Sequence, residues 1–276
     1  NTRRGLIVPA LISAAAAPAA LAMLGGKLFA PARLGQWAKR IASAFDRSVP
    51  TQVAVTAPAD SPAATPEAPR LGFTDSEQVE RVYGFLRNIG LTNGFAPLVV
   101  IAGHGSNSQN NPHLAAYDCG ACSGRHSGPN ARVFSAIVNR PEIRALLAER
   151  GIAIPDTTWF IGAEHNTCDD TVIWYDEDRV PEALHSAFAT LKQEMAQASR
   201  QHAQERCRRF ASAPDNPGIR KAWRHIQNRR HDFSQARPEL GHATNACAFI
   251  GRRSMSRGAF FDRRAFLISY DSTIDP

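Results

Sequence analysis

The sequence predicts an α/β fold in which a mixed or parallel sheet is flanked by helices. Residues 97–101 form a short, unbroken apolar run, which is typical of a buried strand. Residues 158–163 and 171–175 are rich in aromatic and β-branched side chains and indicate two more strands. Helical spacing of apolar residues precedes and follows these runs, and such alternation of strands and helices favours the α/β class.

The composition is that of an ordinary globular protein with an excess of basic residues. The 276 residues are enough to bury a core, and the balance of 43% hydrophobic and 21% charged residues is typical of folded domains. The formal charge of +7 leaves two interpretations open, an anionic partner or a solvated basic face. Five cysteines are an odd number and do not indicate a disulfide framework, so we expect a reducing compartment.

Residues 1–49 are predicted to form an apolar and basic helical segment. Residues 5–24 are apolar and follow two arginines, a pattern shared by signal peptides and short membrane segments. Pro18 would kink a spanning helix, so we favour helices that dock on protein over a membrane span. Residues 27–47 have the spacing of a basic amphipathic helix, which packs on protein or lies on a membrane surface.

Residues 50–70 are predicted to be a flexible or extended linker, because they carry five prolines among Ala, Thr and Ser. Residues 71–276 then form the α/β domain. Its first helix is predicted to begin at Thr74, with acidic residues in the first turn, and to end at Gly90.

Later elements follow from the same kinds of signal. Pro129 opens one helix and Pro141 opens another, and a long helix with an apolar packing stripe begins at Pro181. Residues 243–250 and 265–269 indicate two further strands. Between these strands lies a set of arginines that fits planar oxyanions or carboxylate partners, namely Arg252, Arg253, Arg257, Arg263 and Arg264.

Residues 101–128 concentrate side chains that can bind metals. They include three histidines, two cysteines and one aspartate, namely His104, His113, His126, Cys119, Cys122 and Asp118. Gly103 and Gly105 flank His104, and we expect them to let the backbone turn sharply there. Thiolate and neutral imidazole are the ligands that zinc prefers. Three interpretations are open: a metal site, a redox Cys-x-x-Cys pair, or a buried thiol pair with hydrogen-bonded loop histidines.

A second candidate site lies at the end of the strand predicted at residues 158–163. Residues 164–167 read Glu-His-Asn-Thr, at the strand end where open α/β sheets place their ligands. His165 is interpreted as a neighbour of metal ligands or a proton relay, and a hydrogen-bonded loop histidine is the alternative.

Together these motifs resemble the DabA-type inorganic-carbon pump subunits. The resemblance rests on Gly-His-Gly-Ser at residues 103–106, Asn-Asn-Pro-His at 110–113, Asp-Cys-Gly-Ala-Cys at 118–122, Glu-His-Asn-Thr at 164–167, Asp-Phe-Ser-Gln-Ala-Arg-Pro-Glu at 232–239 and Arg-Arg-Ala-Phe-Leu at 263–267. It spans about residues 72–276, whereas residues 1–70 match poorly. Because the chain begins at Asn1 and stops just after a matching motif, we expect an internal fragment of a longer protein.

The resemblance implies a β-carbonic-anhydrase-like core that binds zinc. In that family a Cys-x-Asp-x-Arg motif supplies a Cys and an Asp ligand, and a later His and Cys correspond here to His104 and Cys119. Cys122 is then a neighbour of the site and not a ligand. The earlier motif is absent from this sequence, so the upstream Cys and Asp ligands lie outside it. Residues 168–170 have the Cys-x-Asp spacing, but Val172 stands where the arginine should be, and we treat them as a decoy.

The resemblance also implies a function in the uptake of inorganic carbon. Zinc would lower the pKa of a bound water, so that hydroxide attacks CO2 and gives bicarbonate. A membrane-embedded proton- or cation-translocating subunit would make this hydration one-way, with the protein peripheral at the cytoplasmic face of the bacterial inner membrane. Two alternatives stay open. One is a zinc-stabilised module without turnover. The other is a nucleic-acid binder, which we do not expect because the arginine-rich part lacks interleaved aromatics.

Overall fold

The computed structural model describes residues 7–45, 51–106, 126–232, 234–235, 238, 246–261 and 264–273. The elements confirm a mixed α/β protein. In chain order they are α1 (Ile7–Phe29), α2 (Pro31–Phe45), α3 (Asp75–Asn88), β1 (Leu98–Gly105), α4 (Gly128–Val138), α5 (Pro141–Glu149), β2 (Trp159–Asn166), β3 (Thr171–Trp174), α6 (His185–Cys207), α7 (Ile219–His231), β4 (Cys247–Gly251), α8 (Arg253–Ser256) and β5 (Ala265–Ser269), with short 3-10 turns at Glu177–Arg179 and Glu182–Leu184.

The described chain divides into two compact units. One, called the sheet unit below, comprises the described parts of residues 51–106, 125–198 and 239–276. The other, called the basic unit, comprises the described parts of residues 1–50 and 199–238. The domain limits predicted at residues 49–50 and 70–71 stay a prediction.

The sheet unit is built on a three-stranded mixed sheet with the order β1-β2-β3. β1 and β2 are parallel over their full length, and β3 runs antiparallel to the last four residues of β2. The predicted strands at residues 97–101, 158–163 and 171–175 are therefore confirmed, although β1 and β2 each extend further. The extension matters because it carries His104 and His165 into the sheet as register partners.

Each face of this sheet is covered by helices, as the unbroken apolar strands require. On one face, α3, α4 and α5 enclose a core centred on Phe160, Leu86 and Leu147, each almost fully buried. On the other face, Ile161 packs with Phe188 at the start of α6. Trp174 meets the Phe188 ring edge-on, with 5.2 Å between ring centroids.

The free edge of β2 is closed by side chains where β3 does not reach. The Asn139 side chain takes the place of a neighbouring strand at Phe160. Its Nδ2 donates to the Phe160 carbonyl at 2.7 Å, and its Oδ1 accepts from the Phe160 N–H at 3.0 Å. Arg144 donates to the Thr158 carbonyl at 2.7 Å. These bonds satisfy backbone groups of β2 that would otherwise be free to pair with a strand of another molecule.

The predicted start of α3 is confirmed by a capping box. Thr74 Oγ1 accepts from the Glu77 N–H, and the Glu77 carboxylate accepts in return from the Thr74 N–H at 2.8 Å. Gln78, which is fully buried, donates to the carbonyls of Val55 and Phe73 and so ties the preceding segment to the helix.

A second, two-stranded parallel sheet is formed by β4 and β5. It confirms both strands predicted after residue 240. One arginine of the predicted oxyanion set is used internally, since Arg252 Nε lies 2.9 Å from the Asp271 carboxylate. Arg253 donates to the Leu267 carbonyl at 2.8 Å. The carboxylate interpretation is thus confirmed for Arg252, whereas Arg253 binds a backbone carbonyl.

In the basic unit, α1 is one helix of 23 residues with Pro18 inside it, and none of its residues is buried. Within the described residues, it is the one helix whose length and apolar composition would suit a membrane crossing. α2 packs on α7, where Gly35 leaves no room for a side chain because His231 lies against it. Ala222 and Ile226 of α7 form the buried centre of this unit with Cys207.

Candidate functional site

The candidate site lies at the carboxyl edge of the mixed sheet. β1 and β2 are parallel, so their last residues meet at one edge, and open α/β sheets bind ligands at such edges. His104 is the register partner of His165, and Gly103 is the partner of Glu164. Because side chains alternate along a strand, the two histidines lie on one face and Glu164 lies on the other.

His104 is held through its backbone by the first residue before α4. Its N–H donates to Ser127 Oγ at 2.5 Å, and its carbonyl accepts from the Ser127 N–H at 2.9 Å and the hydroxyl at 3.1 Å. Three bonds from one residue fix the end of β1. Ser127 gave no sequence signal, because the contact joins residues 23 positions apart.

His165 is paired with Asp170 across the tight turn that joins β2 to β3. His165 Nε2 lies 2.9 Å from Asp170 Oδ1, and the aspartate is buried. Asp170 adopts a left-handed backbone conformation with φ of 58°, which Asp tolerates better than most residues. A carboxylate bound to one ring nitrogen fixes the orientation and tautomer of the imidazole.

Cys168 and Asp170 have different partners among the described residues. The Cys168 thiol is fully buried and lies 3.2 Å from Ser106 Oγ, while Asp170 is directed to His165. The interpretation of residues 168–170 as a decoy stays a prediction.

The opposite face carries a second histidine–carboxylate pair, which the sequence did not reveal as a unit. His126 Nδ1 lies 2.5 Å from Glu164 Oε1, and the Tyr175 hydroxyl donates to Glu164 Oε2 at 3.4 Å. The Glu164 side chain is only 5% exposed, whereas His126 is 32% exposed. Burial raises the pKa of Tyr175, and the nearby Glu164 carboxylate raises it further. Tyr175 therefore stays a hydrogen-bond donor at neutral pH.

The expectation that Gly103 and Gly105 make a sharp turn is wrong. Both lie inside β1, and neither has a positive φ. Both positions need glycine because neighbouring atoms leave no room for a Cβ atom. A Cβ at Gly105 would lie 2.6 Å from Glu164 Oε1 and 2.8 Å from His126 Nδ1. A Cβ at Gly103 would collide with the backbone of Ser127.

The predicted zinc ligands are only partly placed by the structure. His104 stands at the site, whereas Cys119, Cys122, His113 and Asp118 lie outside the described residues. Within the described ranges, no group of three His, Cys, Asp or Glu side chains is arranged to hold a metal ion. The zinc assignment of His104 and Cys119 stays a prediction.

A family model described as "Probable inorganic carbon transporter subunit DabA" matches residues 1–276. The chain belongs to the DabA family. The resemblance found in the sequence is thereby confirmed, but its limit at residue 72 is wrong, because the match includes the N-terminal helices.

Three DabA relatives show how much of the family this chain represents. It is 58% identical to the protein of Dechloromonas aromatica strain RCB over 275 residues, 56% to that of Nitrosococcus oceani and 55% to that of Methylococcus capsulatus. Each bears the name "Probable inorganic carbon transporter subunit DabA". The alignments cover 99–100% of this chain and 24–27% of the relatives. The chain thus spans about a quarter of their length, as expected for part of a longer protein. No solved structure matches the chain.

Proposed function

We propose that this chain is the zinc-binding part of a subunit that takes up inorganic carbon by hydrating CO2 to bicarbonate. The observation that carries the proposal is the sheet edge itself. There His104 stands beside the His165–Asp170 pair, with the His126–Glu164 pair on the opposite face. We further propose that the three-stranded sheet and its helices are part of a β-carbonic-anhydrase-like core.

The donor types of the two predicted ligands fit zinc. His104 offers an imidazole at a strand end fixed by Ser127, and Cys119 offers a thiolate 15 residues later. Nitrogen and sulfur donors of this kind are the usual zinc ligands. The family resemblance assigns the remaining Cys and Asp to an upstream segment, which agrees with the chain covering about a quarter of its relatives. A bound zinc would supply hydroxide at neutral pH.

The chain's own residues provide a place for the proton. Conversion of CO2 and water to bicarbonate releases one proton, which must leave the site. The His165–Asp170 pair lies on the same face of the sheet as His104 and joins a buried carboxylate to a partly exposed imidazole. A proton taken up by this pair can reach solvent through the imidazole.

Uptake requires that hydration runs in one direction. An uncoupled carbonic anhydrase would run both ways and dissipate the bicarbonate that it had formed. We propose that a membrane-embedded proton- or cation-translocating partner gates the site, with this subunit peripheral at the cytoplasmic face of the inner membrane. The name of the relatives as transporter subunits supports the existence of a partner. A zinc-stabilised module without turnover is the competing function.

Hydration assays on the full-length protein test this proposal. Net conversion of CO2 to bicarbonate should be slow for the isolated subunit and rapid in energised vesicles that also contain the partner. His104→Ala should abolish the rapid conversion, and Cys122→Ala should retain it. Fast, reversible hydration by the isolated subunit would contradict the gating, and no hydration in either setting would favour the zinc-stabilised module without turnover.

A further inference from the structure

The basic unit has a wide, positively charged depression at the beginning of α7. It has a volume of about 920 Å³. Its lining includes Arg200 from α6 and Arg220, Lys221 and Arg224 from α7, together with Ile219 and Trp223. The four cationic side chains belong to exposed residues. None of its lining residues belongs to the sheet edge, and the proposed hydration does not use them.

The charges in this depression have no acidic partner in the described part of the chain. Among those residues, no Asp or Glu lines the depression, and none of its four cations forms an ion pair or a hydrogen bond. Other basic groups behave differently, since Arg132 is held by both oxygens of Asp176 and Arg209 lies near Glu205. Four unpaired cations around one depression favour an anionic ligand that carries more than one oxygen.

The excess positive charge of the whole chain is concentrated in this unit. Residues 7–45 and 199–232 carry thirteen Lys and Arg against three Asp and Glu. That excess is larger than the formal charge of +7 for the complete chain, so the remaining residues are net acidic. The separation of charge gives the molecule one strongly basic unit.

The same unit presents an exposed apolar surface. α1 has no buried residue over its 23 positions and contains no Asp or Glu. Phe29 at its end is 89% exposed, and on α2 Trp37 is 62% exposed and Phe45 is 84% exposed. The presence of an exposed apolar surface and a cluster of basic side chains in one compact unit is typical of proteins that bind at the membrane interface.

We propose that the basic unit docks on a bilayer that contains acidic phospholipids. The depression formed by Arg200, Arg220, Lys221 and Arg224 takes a phosphate-bearing headgroup, and α1 with the aromatic residues of α2 enters the interface. The positive charge of the depression favours an acidic lipid headgroup. A nucleic acid would also suit the charge, but it offers no apolar surface for α1, so the exposed apolar helix favours the bilayer. The inference adds to the membrane location in the proposed function the surface and the lipid class that hold the subunit there.

Sedimentation of the full-length protein with vesicles, without its partner and without CO2, tests the proposal. Vesicles of phosphatidylcholine should bind little protein, and vesicles that also contain phosphatidylglycerol should bind it in a salt-sensitive manner. Near an acidic surface each cation contributes about five-fold to partitioning. Replacement of the four cations by Gln should therefore weaken binding at least about 100-fold.

A matched variant removes the same charge elsewhere. Arg87→Gln, Arg179→Gln, Arg257→Gln and Arg264→Gln change exposed arginines of the sheet unit and should weaken binding only about three-fold. Should the first variant melt at a lower temperature, Arg220→Glu alone takes its place. Equal losses in the two sets would overturn the proposal, as would binding that needs no acidic lipid, or binding to duplex DNA but not to vesicles. The zinc content of each variant, measured in parallel, reports separately on the proposed zinc site.

Discussion

At the scale of single residues, the sheet edge shows how two neighbouring positions acquire different roles. His104 and Gly105 are adjacent in β1 but face opposite sides of the sheet. His104 stands beside His165, and Gly105 makes room for the contact between Glu164 and His126. Position 105 therefore requires glycine, because a methyl group there would displace the buried Glu164 carboxylate.

The zinc assignment is tested at this scale by metal analysis of the full-length protein. His104→Ala and Cys119→Ala should each lower the zinc content from about one per chain to a small fraction of that value, because loss of one donor from a four-ligand site removes most of its affinity. Cys122→Ala is the matched control, since it removes a thiol three residues from Cys119 and should keep the metal. Stoichiometric zinc in the Cys119→Ala protein would sink the assignment.

At the scale of elements, helices α3 and α4 contain glycines with opposite surroundings. Gly84 lies inside α3, and a Cβ added there meets nothing within 4 Å. Gly128 begins α4, and a Cβ added there collides with the Tyr175 hydroxyl and Glu164 Oε2. Substitution of Gly84 therefore tests helix propensity alone, whereas substitution of Gly128 also tests close packing.

We expect these glycines to respond to the same substitution with opposite sign. Gly84→Ala should raise the free energy of unfolding by about 0.5–1 kcal/mol, because alanine favours the helix. Gly128→Ala should lower it by about 1–3 kcal/mol, because the helix start, Tyr175 or Glu164 must move. Denaturant unfolding of both variants measures the difference. A Gly128→Ala protein as stable as the Gly84→Ala protein would mean that the contact with Glu164 and Tyr175 is not tight.

At the scale of the whole molecule, the two units carry different groups. The sheet unit brings together the histidine and carboxylate pairs. The basic unit holds the exposed apolar helix and the four cations that have no partner among the described residues. The chain covers about a quarter of its relatives, so the ligands that complete the proposed zinc site are expected from the rest of the protein.

Chelation of the metal should therefore affect the whole protein and this chain differently. A complete structural zinc site can contribute on the order of 10 kcal/mol to folding. The full-length protein should melt at a clearly lower temperature after treatment with a chelator. The 276-residue chain, with two of the four proposed ligands, should melt within about 2 °C of its untreated value. Collapse of the short chain on chelation would place the missing ligands inside it.

The sequence by itself determined the family, the α/β class and the position of most elements. The apolar runs predicted β1, β2 and β3, and the acidic first turn behind Thr74 predicted α3, because local periodicity and capping depend on residues a few positions apart. It also pointed to His104 through motifs unusual enough to exclude coincidence. These signals are short-range, and they remain visible without any knowledge of how the chain packs.

Only the tertiary structure decided which side chains act together. The pairing of Glu164 with His126 joins residues 38 positions apart, and Tyr175 and Ser127 gave no sequence signal at all. Gly105 was predicted to turn the chain, and it instead admits a neighbouring carboxylate. Such contacts follow from the parallel register of β1 with β2 and from the placement of α4 against both strands. Register and packing are set by the whole core, so no local pattern could specify them.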